Sequence, residues 1–424
     1  MTENDKNPVR IAPADLDLRD FIRPGDKVIW GQATGEPLTL TETLVAQRHH
    51  IGPISVFLGS CFSDTLRPEH ADKIRFASFG PMGTSRALAK AGVLDIIPVH
   101  FGQIYRYIQD GQIGCDIAFV QLSPPGPNGR HSFGLTNDYV QTLIAKARVV
   151  IAEINDQIPW TYNEGEPDLS RITATIATSR PPIQLAPTKI GPVEQAIAKN
   201  VSRYIEDGSV LQMGVGAIPE AVMQGIADRR DLGLHTGMVG DSLVGLIERG
   251  IITNATKPID TGISVAGVLL GTDRLYRFAD RNPALRLRPS WHTHGGDLLR
   301  IPKLVSINTA LEVDLTGQVN AEAAGDDLLG AVGGQPDLVR AGHRSPGGHA
   351  IIALPSTARG GKISRICRTL NGPVTTPRSD VDVIVTEYGA ADLRGLTLSE
   401  RARALTAIAH PEHRDALLDR DARR

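Results

Sequence analysis

GSVLQMGVGAIPEAVMQGIA (residues 208–227) gives the most direct indication of how this chain folds. Its apolar run predicts a β-strand, Gly214 and Gly216 a turn, and the residues after them an α-helix. Pro219 stands near the predicted helix start, where its missing N–H costs little. Residues 26–46, DKVIWGQATGEPLTLTETLVA, follow the same order. The likeness fits an internal repeat or the strand–turn–helix order that α/β proteins share, and both interpretations indicate β-α units.

Other apolar, β-rich runs alternate with helical patterns along the chain. They include ISVFLGS (54–60), CDIAFVQLS (115–123), ARVVIAEIN (147–155), LVSINTALEVDL (304–315), HAIIALPS (349–356) and VDVIVTEYG (381–389). This alternation is typical of a mostly parallel sheet covered by helices. Residues 155–192 interrupt it with a proline-rich stretch that reads as a linker. We therefore predict an α/β fold of two open-sheet domains, residues 1–190 and 191–424.

Two of the predicted helices begin with a capping-box spacing. Thr39 lies three residues before Glu42, and Thr397 lies three residues before Glu400. In a capping box the two side chains satisfy free backbone N–H groups of the first turn. We expect both pairs to mark helix starts.

The composition excludes several classes of partner. Lys+Arg total 45 against 47 Asp+Glu, and no long basic block is present, so we expect no nucleic-acid or membrane surface. The three cysteines match neither a disulfide framework nor a CxxC metal pattern, which suits a reducing compartment. The polar start and the lack of an apolar run of ~18 residues predict neither a signal peptide nor a membrane span. We expect a soluble, cytoplasmic protein with a small, discrete ligand.

Several glycine-rich turns offer backbone amides to an anion. The turn of Gly214, Val215 and Gly216 precedes a predicted helix, so it could hold a phosphate, a carboxylate or a developing oxyanion, or be only a tight connection. It matches neither a P-loop nor a full GxGxxG motif, which disfavours nucleotides. A second loop, GAVGGQPDLVRAG (330–342), and the turn STARGGKISRI (356–366) add polar and basic side chains. The candidate ligand-binding residues there are Gly333, Gly334, Gln335, Asp337, Arg340, Lys362 and Arg365.

LHTGMVGD (234–241) follows another predicted strand and carries His235 and Asp241. Ligands of open α/β sheets bind at the carboxyl ends of strands, so both side chains are candidate catalytic groups. His235 has an alternative interpretation as a satisfied core histidine, and Asp241 as a helix N-cap. Downstream, WHTHGGD (291–297) would place His292 and His294 on one face of a strand. Because no third ligand is assured at local spacing, we expect no metal and favour pocket or surface histidines.

Taken together, these segments resemble the acetyl-CoA hydrolase/transferase family, which includes 4-hydroxybutyrate and succinate CoA-transferases. The matching stretches, in family order, are GQATGEP (31–37), SPPGPNGRHSFGLTNDY (123–139), AEINDQIPWT (152–161), DGSVLQMGVGAIPEAV (207–222), LTGQVNAE (315–322), GAVGGQPDLVR (330–340), IIALPSTARGGKISRI (351–366) and VTEYGAADLRGLTLSERARALTAIAHPEHR (385–414). The resemblance implies two CoA-transferase-type open-sheet domains, acyl-CoA as the ligand, a carboxylate acceptor and a homo-oligomer. It also implies that residues 214–216 lie beside the thioester and that the loop around Gly333, Gly334 and Arg340 contacts CoA.

One departure from the family pattern concerns the reaction itself. Transferases of this family attack the thioester with a glutamate in a stretch that reads like HTE, whereas this chain has HTG, so the resemblance implies Gly237 at the glutamate's position. Hydrolysis with His235 or Asp241 as base is favoured. The alternatives are transfer through another carboxylate such as Glu36 or Glu322, retro-Claisen cleavage of a β-keto acyl-CoA, and non-catalytic acyl-CoA binding. We expect the missing side chain to enlarge the acyl pocket.

Overall fold

A computed structural model describes residues 7–126 and 129–418 of the chain. The polypeptide forms two compact units. The first comprises the chain up to Ala186 together with Val265–Thr293, and the second comprises Pro187–Ser264 together with the chain from His294 onward. Residues 265–293 thus belong to the first unit, where Leu285–Leu287 pairs in parallel with Tyr162–Asn163. This division differs from a single boundary at residue 190, and the assignment of domains 1–190 and 191–424 stays a prediction.

An eight-stranded, all-parallel sheet forms the centre of the first unit. Across the sheet its strands are Val9–Ile11, Ala174–Thr178, Val149–Asn155, Ile117–Leu122, Lys27–Trp30, Ile54–Leu58, Ile74–Ser78 and Leu94–Ile96. All six residues of Ile117–Leu122 are buried, as expected for a parallel strand covered on both faces. The α-helices of this unit are Leu38–Ile51, Arg86–Lys90, Ile104–Gln109, Val140–Lys146, Asp273–Ala279 and Ser290–Thr293.

The second unit is built on a six-stranded sheet. In spatial order its strands are Gly233–Leu234, Val210–Met213, Leu304–Thr309, His349–Ala353, Val383–Thr386 and Gly389–Asp392; only the last pairs antiparallel. Its α-helices are Pro192–Val201, Ala217–Gly225, Ser242–Glu248, Gln335–Arg344, Leu398–Ala407 and Arg414–Leu418. The second unit also contains short strands outside this sheet, at Met238–Val239, Glu312–Asp314, Val319–Asn320, Ala323–Ala324, Asp327–Leu328, Thr357–Ala358, Ile363–Ser364 and Ile366–Cys367. The predicted α/β class with open parallel sheets is confirmed.

The two predicted capping boxes have different outcomes. Thr397 and Glu400 form theirs at the start of Leu398–Ala407, as predicted. The prediction for Thr39 and Glu42 is wrong, because Leu38–Ile51 begins without a side-chain cap from its own first turn. Instead, Glu153 accepts bonds from Thr39 N and Oγ1 at 2.9 Å and from Leu40 N at 3.3 Å. A fully buried carboxylate from a neighbouring strand therefore satisfies this helix start.

Within the described residues, no helix has both the length and the apolar character needed to cross a membrane.

Candidate functional site

The glycine turn predicted between strand and helix lies in the second unit. Strand Val210–Met213 ends at Gly214, and helix Ala217–Gly225 begins directly after Gly216, whose φ is 128°. A Cβ built at Gly214 or Gly216 would meet no atom within 4 Å, and no described side chain caps this helix. Pro219 is the third helical residue rather than the first. The first N–H groups of the helix are thus placed to bind an anion.

A neighbouring parallel strand, Gly233–Leu234, delivers His235 to the same edge of the sheet. The His235 backbone N–H donates to Leu211 O at 3.0 Å, and its side chain is fully buried, with 0% exposure. Lys257, also buried, donates from Nζ to Leu234 O at 2.9 Å and to Ile263 O at 2.7 Å. The burial of the His235 side chain agrees with the core-histidine interpretation.

Thr236 joins the end of strand Val210–Met213 to the turn after Gly233–Leu234. Its Oγ1 donates to Met213 O at 2.6 Å and lies 3.2 Å from Met238 O. Asp241 occupies the N-cap position of Ser242–Glu248 and is partly exposed, but its side chain makes no capping hydrogen bond to that helix. The N-cap interpretation therefore holds for the position of Asp241 and not for its side-chain bonding.

Gly237 is packed against a histidine that sequence spacing could not place. A Cβ built at Gly237 would lie 2.5 Å from His294 Cε1 and 2.9 Å from His294 Nε2, and its three nearest atoms all belong to His294. On its other edge, His294 Nε2 would lie 2.5 Å from a Cβ at Gly334. The expected enlargement of the pocket at position 237 is therefore wrong, because an imidazole ring fills that space.

The surroundings of His294 also set its charge. Burial lowers the pKa of His294 to about 4, since desolvation disfavours the imidazolium form. The ring is thus neutral at physiological pH and keeps one nitrogen as an acceptor. The predicted strand carrying an H-x-H pair is wrong, because His292 lies on the helical turn Ser290–Thr293. The side chain of Asp297, the third polar residue of that motif, lies outside the described residues.

Glu220 is a carboxylate near the glycine turn that sequence analysis missed. It lies in the first turn of Ala217–Gly225 and lines a small cavity together with Gly214, Thr236 and Met238. Burial raises the pKa of Glu220, and Ser242 Oγ donates to its Oε1 at 3.3 Å. Its sequence signal was only an acidic residue in a predicted first helical turn.

The second glycine loop also lies in the second unit, with Gly333 at a φ of 55° and Gly334 at the N-cap position of Gln335–Arg344. Gln335 fixes the loop from within, because its Nε2 donates to Thr309 O at 2.7 Å. Arg340 Nε donates to Asp380 Oδ2 at 2.7 Å. Gly334 therefore brings this loop against the same His294 ring that packs on Gly237.

The other residues of the predicted ligand-binding set differ in their surroundings. Asp337 is half-buried on the helix that follows Gly334, and Lys362 is exposed beside strand Ile363–Ser364. Arg365 is half-buried and donates from Nη1 to Ala310 O at 3.2 Å, and burial lowers its pKa. Of the two basic residues, Lys362 is therefore the one that faces solvent.

The two alternative carboxylates are each held within their own unit. Glu36, 3% exposed, accepts from Thr41 Oγ1 at 2.9 Å and from Ser63 Oγ at 2.8 Å, and burial raises its pKa. Glu322 accepts from Thr375 Oγ1 at 2.7 Å. These bonds fit structural roles for both carboxylates.

Comparisons with known proteins agree on one family. Family models described as the acetyl-CoA hydrolase/transferase N-terminal and C-terminal domains match residues 14–170 and 271–421. The 4-hydroxybutyrate coenzyme A transferase of Clostridium kluyveri is 37% identical over 404 residues, covering 93% of each chain. The succinyl-CoA:cyclohexane-1-carboxylate CoA transferase of Geobacter metallireducens is 35% identical over 402 residues, covering 94% of this chain and 92% of the relative. The crystal structure of RipA from Yersinia pestis is similar at a TM-score of 0.90 and 34% identity, covering 96% of each chain.

Proposed function

The chain belongs to the acetyl-CoA hydrolase/transferase family, as its sequence predicted, and from this premise we propose that it hydrolyses an acyl-CoA thioester to free acid and CoA. It is thus an enzyme of CoA-thioester chemistry with the CoA-transferase-type fold of its relatives. In the proposed reaction the acyl group is not transferred to the protein at position 237, because this chain has glycine there.

The observation that supports this proposal most directly is that the turn at Gly237 carries no nucleophilic side chain. The family resemblance implies the nucleophilic glutamate here, and this chain has no side chain at that position. A histidine ring lies where such a side chain would begin, 2.5 Å from the built Cβ. Because the covalent route needs a carboxylate nucleophile aimed at the carbonyl, water is the acyl acceptor that this turn allows.

The remaining groups have proposed roles in binding and polarisation. Backbone amides around Gly214, Val215 and Gly216 would hold the oxyanion that forms when water attacks the thioester carbonyl. The predicted set of Gly333, Gly334, Gln335, Asp337, Arg340, Lys362 and Arg365 would contact CoA, with exposed Lys362 the clearest partner for a phosphate. Of the two bases predicted from sequence, Asp241 is partly exposed, whereas His235 is fully buried.

Transfer of CoA to a second carboxylate is the alternative, and one observation favours it: the relatives compared above are named as CoA transferases. Transfer in this chain would need another carboxylate as nucleophile, such as Glu36 or Glu322, and hydroxyl groups of neighbouring residues already hold these two. Retro-Claisen cleavage loses its main support, because His294 fills the space that a bulkier acyl group would need. A protein that only binds acyl-CoA stays the non-enzymatic alternative.

Mass spectrometry can separate these reactions. The full chain is incubated with simple, branched, cyclic and β-keto acyl-CoAs, with and without acetate or succinate, in water labelled with oxygen-18. We expect CoA thiol to be released without an acceptor, one labelled oxygen in the free acid, and no covalent adduct on the protein. Acceptor-dependent exchange, with a CoA thioester adduct mapped to Glu36 or Glu322, would replace hydrolysis by transfer. Ligand-induced thermal stabilisation without turnover would identify a binder.

We also propose a cytoplasmic location and a homo-oligomeric state. The cysteines Cys61, Cys115 and Cys367 are free thiols, which suits a reducing compartment. A homo-oligomer is what the family resemblance implies. Light scattering on the purified chain tests it directly, and a monomeric mass would refute it.

A further inference from the structure

The imidazole of His294 sits between two glycines of the second unit. Its Cε1–Nε2 edge faces Gly237, and its Nε2–Cδ2 edge faces Gly334, with built Cβ atoms 2.5 Å from the nearest ring atom on each side. Real Cβ atoms do not approach neighbours so closely, so both positions must be glycine while the ring stays there. Gly237 belongs to the turn after His235, and Gly334 to the loop that the family resemblance assigns to CoA.

From this geometry we propose that His294 is the general base of the reaction and activates the water that attacks the thioester. The inference rests on the proposed hydrolysis. It assigns a catalytic role to a residue that spacing along the chain did not select, in place of His235 and Asp241. The ring occupies the side-chain space of the turn position where the family resemblance expects the nucleophile, so it faces the same substrate group.

The protons and bonds of this step balance. The water oxygen bonds to the thioester carbonyl carbon while one water proton moves to a ring nitrogen of His294. The carbonyl π pair moves to oxygen, where the amides around Gly214 and Gly216 hold the oxyanion. Collapse of the oxyanion breaks the carbon–sulfur bond, and the imidazolium returns its proton to the CoA sulfur. The products are the free acid and CoA thiol.

The other titratable groups of the turn are less suited to this step. The His235 ring is fully buried and supplies none of the three atoms nearest to a Cβ built at Gly237. Glu220 accepts a bond from Ser242 Oγ and lies in the first turn of helix Ala217–Gly225. Asp241 is partly exposed and lies at a helix start. His294, in contrast, supplies all three of the atoms that lie nearest to a Cβ built at Gly237.

Chemical rescue tests the assignment. His294→Ala removes the base and leaves a ring-sized space between Gly237 and Gly334, whereas His294→Gln removes the base and keeps that space filled. We expect each variant to lower kcat for hydrolysis by about 100-fold or more, while CoA still raises the melting temperature. Added imidazole should restore turnover to His294→Ala only, increasingly as pH rises through about 6.5 and the added imidazole becomes neutral. His50→Gln, which removes an exposed histidine, should keep the wild-type rate.

Each other outcome has one meaning. A His294→Ala rate within threefold of wild type, or a loss that imidazole does not restore, overturns the assignment of the base while leaving the proposed hydrolysis intact. A 100-fold loss in Asp241→Asn or Glu220→Gln, with His294→Ala active, moves the base to that carboxylate. If wild-type protein releases CoA only with an acceptor, the proposed function is wrong and this inference is wrong with it.

Discussion

Introducing a side chain at Gly237 should be incompatible with His294, and the conflict can be measured as a coupling energy. In Gly237→Ala the new methyl would lie 2.5 Å from His294 Cε1. Carbon atoms in contact normally lie ~3.5–4.0 Å apart, so the overlap is about 1 Å. Overpacking of this kind costs about 1–3 kcal/mol. The φ of Gly237 lies outside the left-handed region, so the backbone accepts an alanine and the cost comes from the ring.

His294→Ala removes the obstacle. In that background the methyl at position 237 enters the space that the ring has left, and the penalty should disappear. Urea unfolding of wild type, both single variants and the double variant gives the coupling energy. We expect the double variant to be more stable than the sum of the single effects by about 1–3 kcal/mol.

The control uses a glycine without such a neighbour. A Cβ at Gly225 would meet nothing within 4 Å, and Gly225 ends the helix Ala217–Gly225 of the same unit. Gly225→Ala should therefore combine additively with His294→Ala, within about 0.5 kcal/mol. If Gly237→Ala and His294→Ala are equally additive, the ring does not fill the side-chain space of position 237, and the reasoning fails.

Three further predictions concern the framework of the two units. Glu153→Ala should lower the free energy of unfolding by about 2–3 kcal/mol, because the backbone N–H groups of Thr39 and Leu40 would lose their acceptor, and a loss under about 0.5 kcal/mol would contradict the role of Glu153. Glu153→Gln is the comparison, since its amide oxygen can still accept from both N–H groups. Burial raises the pKa of Asp138 to about 7, while its Oδ2 accepts from Gln32. The stability that Asp138 provides is full below pH 3.8 and is lost as pH rises through about 7, up to about 4 kcal/mol. The free energy of unfolding of Asp138→Asn should therefore increase relative to that of wild type over this pH range. A difference that stays constant with pH would refute the prediction. Thr397→Ala should cost about 1 kcal/mol in urea unfolding, whereas Thr397→Ser should restore most of it; equal losses would mean that the capping bond is not the cause.

The fold was predictable because its signals are local. Parallel strands covered on both faces appear as nearly continuous apolar runs, and Ile117–Leu122 and Val210–Met213 are buried throughout. The capping box of Thr397 and Glu400 was also predictable, since both partners lie within four residues of each other. Where a helix start is satisfied from a distant strand, as Leu38–Ile51 is by Glu153, the same local rule selects the wrong partner.

The candidate site was predictable only in part for the same reason. The turn around Gly214 and the position of Gly237 follow from local patterns and from the family resemblance. The packing of His294 on Gly237 joins distant parts of the chain, and the only local clue, the H-x-H spacing, was interpreted on a strand that does not form. The family resemblance therefore assigns a role to position 237, whereas the His294 ring beside it is visible only in the structure.

Position 237 and His294 must be considered together when the reaction is assigned. A glutamate side chain at position 237 would overlap with the His294 ring in its present position. This turn can therefore hold a carboxylate nucleophile or a neutral imidazole, but not both. Gly237→Glu alone should therefore fail to create transfer, whereas Gly237→Glu with His294→Ala has the space for a carboxylate and loses the proposed base. In the mass-spectrometric assay the double variant should gain acceptor-dependent CoA exchange and lose hydrolysis. Hydrolysis retained in the double variant would mean that the water is activated by a group other than His294.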